Sequence, residues 1–477
     1  MDSAAWAALC PPVRERYLAE GGQPGPGQSA ARAQTRERGR ALMLGALRQV
    51  SRFRLRRRGP PGPLPPNARI LAVQPDNLGG MLLTTPALRL LKAGLPECEL
   101  TVMAGPWAAD VAAHCPVVDR VEVCPFPGFS PGGGPPRGAP PGGTLGPWRL
   151  LLEQAAGLSS EGFHLALICH PGFYWGAALA AVAGVPQRVG YDSPDGAPFL
   201  SHTLPLPRRP VGAPARAAPG PHVADLGLAL AWKALSIAGA EAPGMADLRP
   251  LYEPTPAERA EAARHWRAHS LDQERAVIAI HPAPGAPAKR WTAQRFAIVG
   301  DHFAGRYGAR IVLTGGPGDV DEARAVARHC HVPPVLLAGQ TSFGALGALL
   351  ERCRFVVGTD NGALHLATAR GVPTVRLFGP VDPAAWGGWT GPPGPSDASG
   401  VSGATGSYES LAPPTLSLGA TLPCAPCHRL DLPPWEAVSG AGEGAYPCMR
   451  DLTAEGVVAA AERVWALTEG MAAARGR

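Results

Sequence analysis

Charge is scarce in this chain of 477 residues: Asp, Glu, Lys and Arg make up only 17% of it. That excludes a long coiled coil, which needs charged flanks along its seam. No strict glycine period appears, which excludes a collagen, and the length excludes a small disulfide scaffold. Lysine is almost missing. Lys92, Lys233 and Lys289 are the whole set among 44 basic residues, so a lysine retained inside a motif carries extra information. No secretory leader is read at the N-terminus, which predicts a reducing compartment in which the ten cysteines are mostly buried thiols. The longest uncharged run, Phe163–Gln187, invites a membrane reading. His164, His170, the break at Pro171-Gly172 and Gly184-Val185-Pro186 predict strand, loop and helix instead.

What is abundant is glycine and proline, 60 and 55 residues, together with a 45% hydrophobic content. This combination predicts an enzyme-sized folded body interrupted by Gly/Pro insertions. The net charge of +6 is unevenly spread. Residues 1–66 hold 12 Arg against Asp2, Glu15, Glu20 and Glu37, so the rest of the chain nets −2. The body has no basic excess, and no nucleic-acid partner is expected. The cluster Arg52, Arg54, Arg56, Arg57 and Arg58 makes residues 48–58 a candidate contact for an anionic membrane surface, with a solvated basic tail as the plainer alternative.

Residues 1–66 read as a partly disordered basic arm with one helical stretch over Ala30–Arg58. From there the pattern alternates. Strands are predicted over Arg69–Gln74, Glu99–Ala104, Arg120–Cys124, His164–Cys169 and Arg188–Tyr191. Helices are predicted over Gly79–Gly94, Trp107–His114, Trp175–Ala183 and Val223–Ala240. An insertion spans residues 125–147. After a hinge at Pro243–Pro256 the alternation repeats. A helix over Pro256–Ser270 leads in, and the strands are Ala276–His281, Arg310–Thr314, Val335–Ala338, Arg354–Gly358 and Thr374–Phe378, the first four each followed by a helical pattern. A second insertion spans residues 391–422, and a last helix covers Thr453–Ala474. Strands alternating with helices twice over predict two parallel-sheet α/β domains, residues 67–245 and 256–467, with ligands at the carboxyl ends of the strands.

Four strand-to-helix loops carry chemistry. Pro75-Asp76-Asn77-Leu78-Gly79-Gly80 admits close backbone approach. Lys289 and Arg290, in the loop that begins at His281-Pro282, offer cations suited to a diphosphate. Thr314-Gly315-Gly316-Pro317 suits a nucleotide near the backbone, with Asp319 or Glu322 as ribose partners. Asp360-Asn361-Gly362-Ala363 places a carboxylate at a helix start, either as a cap or as a grip on sugar hydroxyls, while the amides of Asn361, Gly362 and Ala363 face phosphate. Each alone is also an ordinary turn.

Together, and in this order, they resemble glycosyltransferase family 9, the heptosyltransferases of lipopolysaccharide core synthesis. The matching pieces are the Asp76 loop with Leu82-Leu83-Thr84-Thr85-Pro86-Ala87-Leu88, then His281-Pro282 with Lys289-Arg290-Trp291. They continue with Leu313-Thr314-Gly315-Gly316-Pro317 and with Asp360-Asn361-Gly362 and His365-Leu366-Ala367. The last are Leu377-Phe378-Gly379-Pro380 with Asp382-Pro383 and Trp386, and Cys424, Cys427 and Cys448-Met449. The resemblance covers residues 68–467. It implies a GT-B fold, two Rossmann-like domains facing a cleft, with a C-terminal helix returning to the N-terminal domain. It further implies an inverting, metal-independent transferase without a cofactor. ADP-heptose would be the donor and a glycolipid or glycan the acceptor. Apart from the resemblance, which does not include the arm, a cytoplasmic enzyme held by its Arg-rich arm on the inner face of the plasma membrane is expected. By the same resemblance Lys289 and the Asn361–Ala363 turn meet the diphosphate. Asp360 and His365 meet the sugar, and Thr84 and Thr85 lie on the acceptor side.

The chain departs from the family at the general base. The carboxylate normally stands at the position of Gly80, and Asp76 lies four residues earlier on the same loop. A family member that binds nucleotide-sugar or scaffolds glycan assembly without turnover would share every donor residue. An epimerase of the same fold would need further cleft carboxylates and histidines. Cys424, Cys427, His428 and Cys448 are weak zinc candidates, because adjacent Cys427 and His428 make poor co-ligands.

Overall fold

The computed structural model describes residues 30–58, 62–129, 143–207, 221–241, 243, 248–391, 408–411, 413–422, 425–428, 430 and 445–475. Described residues 30–207 and 223–248 form one compact unit; those from Arg249 onward, with Pro221 and His222, form a second.

The first unit contains α1 (Ala30–Arg58), β1 (Arg69–Gln74), α2 (Leu78–Gly94), β2 (Glu99–Ala104), α3 (Ala109–Ala113) and β3 (Arg120–Val123). It continues with α4 (Gly146–Ser160), β4 (Leu165–Ile168), α5 (Tyr174–Val182), β5 (Gln187–Tyr191), β6 (His202–Leu204) and α6 (Val223–Ala238). The strands make one parallel sheet in the order β3-β2-β1-β4-β5-β6. Ile70–Val73 of β1 and the whole of β4 are apolar and buried, as strands covered by helices on both faces must be. The chain leaves β1 toward β2 and returns on the other side at β4. The loop after β1, which carries Asp76, therefore sits at the point where the strand order reverses, the usual ligand position in such sheets.

The second unit contains α7 (Pro256–Ala268), β7 (Val277–His281), α8 (Ala293–Tyr307), β8 (Arg310–Leu313), α9 (Val320–His329), β9 (Val335–Leu336), α10 (Phe343–Leu350) and β10 (Phe355–Thr359). It continues with α11 (Gly362–Ala369), β11 (Thr374–Phe378), α12 (Pro383–Trp386), β12 (Tyr408–Leu411), β13 (Pro414–Gly419), α13 (Pro447–Arg450) and α14 (Ala454–Arg475). The sheet order is β12-β13-β11-β10-β7-β8-β9, parallel except for the β12–β13 hairpin. Here the order reverses between β7 and β10, so the loops holding Lys289 and Asp360 flank that point.

Several expectations are corrected. The helix expected over Ala30–Arg58 is present with those bounds, but it is packed rather than standing off as an arm: Leu44 and Leu47 join the core of the first unit, and Arg54 Nη1 donates to the Val182 carbonyl at 2.9 Å. Within residues 125–147 the chain already turns helical at Gly143, and α4 follows. Its Leu151, Ala155 and Leu158, spaced i, i+4, i+7, are buried. Residues 391–422 include β13, which pairs with β11 from Thr374↔Thr415 to Phe378↔Gly419. The last helix, expected to return to the N-terminal domain, packs Val457, Ala461, Val464 and Trp465 into the core of the second unit.

Candidate active site

In the first unit the Asp76 loop is held by its own polar groups. Asn77 caps α2, its Oδ1 accepting from the Gly80 amide at 3.2 Å. The Asp76 Oδ1 accepts from the Asn77 amide at 2.8 Å, and Trp107 Nε1 donates to the Asp76 carbonyl at 2.9 Å. The Asp76 side chain remains half-buried while Gly79 and Gly80 are buried. A Cβ on residue 80 would lie 2.3 Å from Asp76 Oδ2 and 2.4 Å from its Cγ. The carboxylate of Asp76 thus occupies the space that a side chain at the usual base position would enter. Thr84 and Thr85, expected on the acceptor side, are buried instead. Their hydroxyls donate to the Gly80 carbonyl at 2.9 Å and the Leu82 carbonyl at 2.6 Å, which serves the helix rather than an open face.

In the second unit Lys289 and Asp360 come together. Lys289 Nζ lies 2.6 Å from Asp360 Oδ2 and donates to the Asp360 carbonyl at 3.1 Å; their side chains are 12% and 5% exposed. His365 Nε2 stands 3.4 Å from Asp360 Oδ1. The tautomer follows from Arg376, which can only donate: its Nη1 lies 3.1 Å from His365 Nδ1, so the proton sits on Nε2, facing Asp360. Arg376 itself is fully buried in β11 and spends its other donors on the Leu364 carbonyl, Thr368 and Thr374. Burial would raise the Asp360 carboxyl, but Lys289 and His365 outweigh it and hold the group well below the usual carboxylate range. Burial, reinforced by the Arg376 charge, lowers His365 to about 4, so the imidazole is neutral near pH 7.

Asn361 caps α11. Its Oδ1 accepts from the amides of Ala363 at 3.0 Å and Leu364 at 3.2 Å, and its Nδ2 donates to the Ala283 carbonyl at 2.8 Å. The Ala363 amide, expected to face phosphate, is therefore taken by the cap in this structure. Gly285 stands at φ +63°, a conformation that favours glycine, and a Cβ added there would lie 3.4 Å from Asn361 Cβ.

The nucleotide candidates separate into two pairs. Asp319 Oδ2 accepts from the Gly316 amide at 2.7 Å, and Gly315 leaves room for the Asp319 Cβ, so these three close their own turn. Glu322 pairs with Arg290 at 2.7 Å, joining the second and third motifs. Beside that pair opens a cavity of about 190 Å³ lined by Pro282, Arg290, Trp291, Glu322, Ala325 and Arg328. Cys424 lies outside the described residues. Cys448 packs beneath Gly379, whose added Cβ would lie 3.1 Å from its Sγ, and the His428 amide donates to the Pro380 carbonyl at 2.6 Å. Among the described residues no group of three His, Cys, Asp or Glu is arranged to hold a metal ion.

The family profile "Glycosyltransferase family 9 (heptosyltransferase)" matches residues 158–395, which include Lys289, Glu322, Asp360 and His365. The chain belongs to glycosyltransferase family 9. As a member of that family it is a glycosyltransferase by class. Among its relatives, lipopolysaccharide heptosyltransferase 3 of Escherichia coli is 36% identical over 112 residues, which are 23% of this chain and only 33% of that protein. Lipopolysaccharide heptosyltransferase 2 of Escherichia coli K12 is 24% identical over 324 residues, 66% of this chain and 84% of the relative. The solved structure of E. coli ADP-heptose lps heptosyltransferase II shares the fold, with a TM-score of 0.56 at 18% identity over 84% of this chain and 99% of that one.

Two residues of this family 9 site were not singled out from the sequence. Arg376 announces itself only as a charge within the apolar strand Thr374–Phe378. Thr359, whose hydroxyl donates to the Ala283 carbonyl at 3.0 Å, carries no signal beyond its neighbour Asp360.

Proposed function

We propose that this chain transfers a heptose from ADP-heptose to a hydroxyl of a lipopolysaccharide-type glycan, inverting the anomeric centre without a metal. The reading is carried by the buried Lys289–Asp360–His365 group at the carboxyl ends of β7 and β10. It is supported by the names of the relatives and of the solved heptosyltransferase.

Lys289 meets the diphosphate, and Asp360, kept ionised, holds the sugar hydroxyls. The nucleoside lies toward Glu322 and its cavity. Asp76 replaces the missing base: its carboxylate already fills the space above Gly80. In the chemical step Asp76 takes the proton of the acceptor hydroxyl. The acceptor oxygen bonds to the anomeric carbon as the bond from that carbon to the diphosphate oxygen breaks. The electron pair leaves on the nucleoside diphosphate, whose charge Lys289 offsets. Among the described residues the eight cysteines at 98, 115, 124, 169, 330, 353, 427 and 448 are thiols rather than disulfides, in keeping with a cytoplasmic enzyme.

The test combines donor calorimetry with acceptor-dependent ADP release. ADP-heptose and other nucleotide sugars are offered with a lipopolysaccharide core fragment as acceptor. Acceptor-dependent release from ADP-heptose is expected. Tight donor binding without release would assign a donor-binding protein in which Gly80 marks lost turnover, and absence of binding would overturn the donor assignment.

A further inference from the structure

The helix α1 has one face committed to the first unit. Leu44, Leu47 and Ser51 are 3–5% exposed. Arg54 bonds the Val182 carbonyl, Arg40 pairs with Asp195 at 3.2 Å, and Arg48 lies over the Phe199 ring. These contacts fix the rotation of the helix and therefore what it turns outward.

The outward face exposes three large apolar side chains among polar ones. Leu42 is 76% exposed, Phe53 58% and Val50 40%. With about 100° per residue, Leu42, exposed Ala46 and Phe53 fall within about 40° of one another on the side opposite Leu44, with exposed Gln49 beside Leu42. Val50 borders this stripe on one side; exposed Arg52 and Arg56 border it on the other. The stretch Gly39–Arg56 contains five arginines and no acidic residue. Aliphatic and aromatic side chains flanked by arginine suit the boundary between lipid headgroups and acyl chains. There the apolar stripe leaves water and the guanidinium groups meet phosphates.

We propose that this face of α1 docks the protein flat on an anionic lipid bilayer. The helix is an integral part of the first unit, so docking brings that whole unit, with the Asp76 loop, to the lipid surface. The inference rests on the transfer reading only for its purpose, bringing the enzyme to a lipid-borne acceptor.

The test sediments the full-length protein with vesicles of phosphatidylcholine containing about one-third phosphatidylglycerol, and with pure phosphatidylcholine. Binding to the anionic vesicles that weakens as salt rises is expected. Leu42→Ser with Phe53→Ser, and separately Arg52→Ser with Arg56→Ser, should each lower partitioning by roughly tenfold. Melting curves should not move, because these side chains are exposed. ADP release with the water-soluble core fragment should also stay unchanged, which separates this proposal from the transfer reading. Vesicle binding indifferent to both double substitutions would overturn it. So would a dimer in solution that the Leu42/Phe53 substitution dissolves, since the face would then belong to a second copy.

Discussion

The molecule uses the dipeptide Asp-Asn twice, each time between a parallel strand and a helix: Asp76-Asn77 after β1 and Asp360-Asn361 after β10. Both asparagines cap the helix that follows. The two aspartates share neither surroundings nor chemistry. Asp360 is 4% exposed and is neutralised by Lys289 at 2.6 Å, with His365 on its other oxygen. A carboxylate so held is a poor proton acceptor and a good fixed partner for hydroxyls. Asp76 is half-buried, held by the Asn77 amide, and its Oδ2 points into the space above Gly80. The local turn is set by the asparagine; the role of the aspartate is set by what the rest of its unit packs around it.

Exchanging the carboxylate between positions 76 and 80 tests that division most severely. Asp76→Asn keeps the hydrogen bond to the Asn77 amide and removes the base. Acceptor-dependent ADP release should fall by about 10²–10⁴-fold while donor affinity holds. Gly80→Asp alone should not raise the rate, because its Cβ would enter the space of the Asp76 carboxylate. Combined with Asp76→Gly it has room, and release should recover well above that of Asp76→Asn. A faster single Gly80→Asp enzyme would show that Asp76 is not the base.

At Asp360 the large effect is on stability. Lys289→Met strands a buried carboxylate, and breaking such a pair costs about 3–5 kcal/mol. Asp76→Asn, at a half-buried site, should stay within about 1 kcal/mol. Urea unfolding of the two variants compares them directly, and equal losses would erase the contrast drawn between the two aspartates.

Acid should expose the same asymmetry. In the folded second unit burial lowers His281 and His365 to about 4 and His222 to about 3. Unfolded histidines titrate near 6.5, so between about 6.5 and 4 the unfolded state binds more protons and stability falls with pH. Asp360, depressed below the usual range, extends the loss at lower pH as the unfolded carboxyl protonates first. Above pH 7 all three histidines are neutral in both states and contribute no slope. Thermal melting across this range should show the decline. His365→Gln should flatten it measurably, and Asp76→Asn should leave it in place.

Much of this architecture was legible in the sequence. Short apolar runs without alternation read as buried parallel strands, and Arg69–Gln74, Glu99–Ala104 and Thr374–Phe378 agree to the residue. The four loops were located because glycine and asparagine punctuate strand ends. What escaped needed tertiary contacts. α4 hides behind a Gly/Pro run, and β13 follows a stretch rich in glycine and serine, although its own Pro414–Gly419 segment pairs fully with β11. Thr84 and Thr85 looked available because a sequence does not say that their hydroxyls bond to the preceding turn. The approach of Lys289 to Asp360 across 71 positions, and of Arg376 to His365, depends on β7, β10 and β11 lying side by side.

The smallest contrast lies between the two caps. Asn77 satisfies one amide, that of Gly80, whereas Asn361 satisfies those of Ala363 and Leu364 and also donates to the Ala283 carbonyl. Asn77→Ala should cost about 1 kcal/mol, the ordinary value for a lost cap, and Asn361→Ala about 2 kcal/mol. Serine refines the comparison, because it caps as well as asparagine but has no amide to reach Ala283. Asn77→Ser should therefore be close to neutral, while Asn361→Ser recovers only part of the loss. Hydrogen exchange read at the Gly80 amide in one unit, and at Ala363 and Leu364 in the other, measures each helix start separately. Equal protection losses for the two alanine variants would mean that the bond to Ala283 adds nothing. The loop after β7 would then be held to the β10–α11 turn by the hydroxyl of Thr359 and by the Lys289–Asp360 pair.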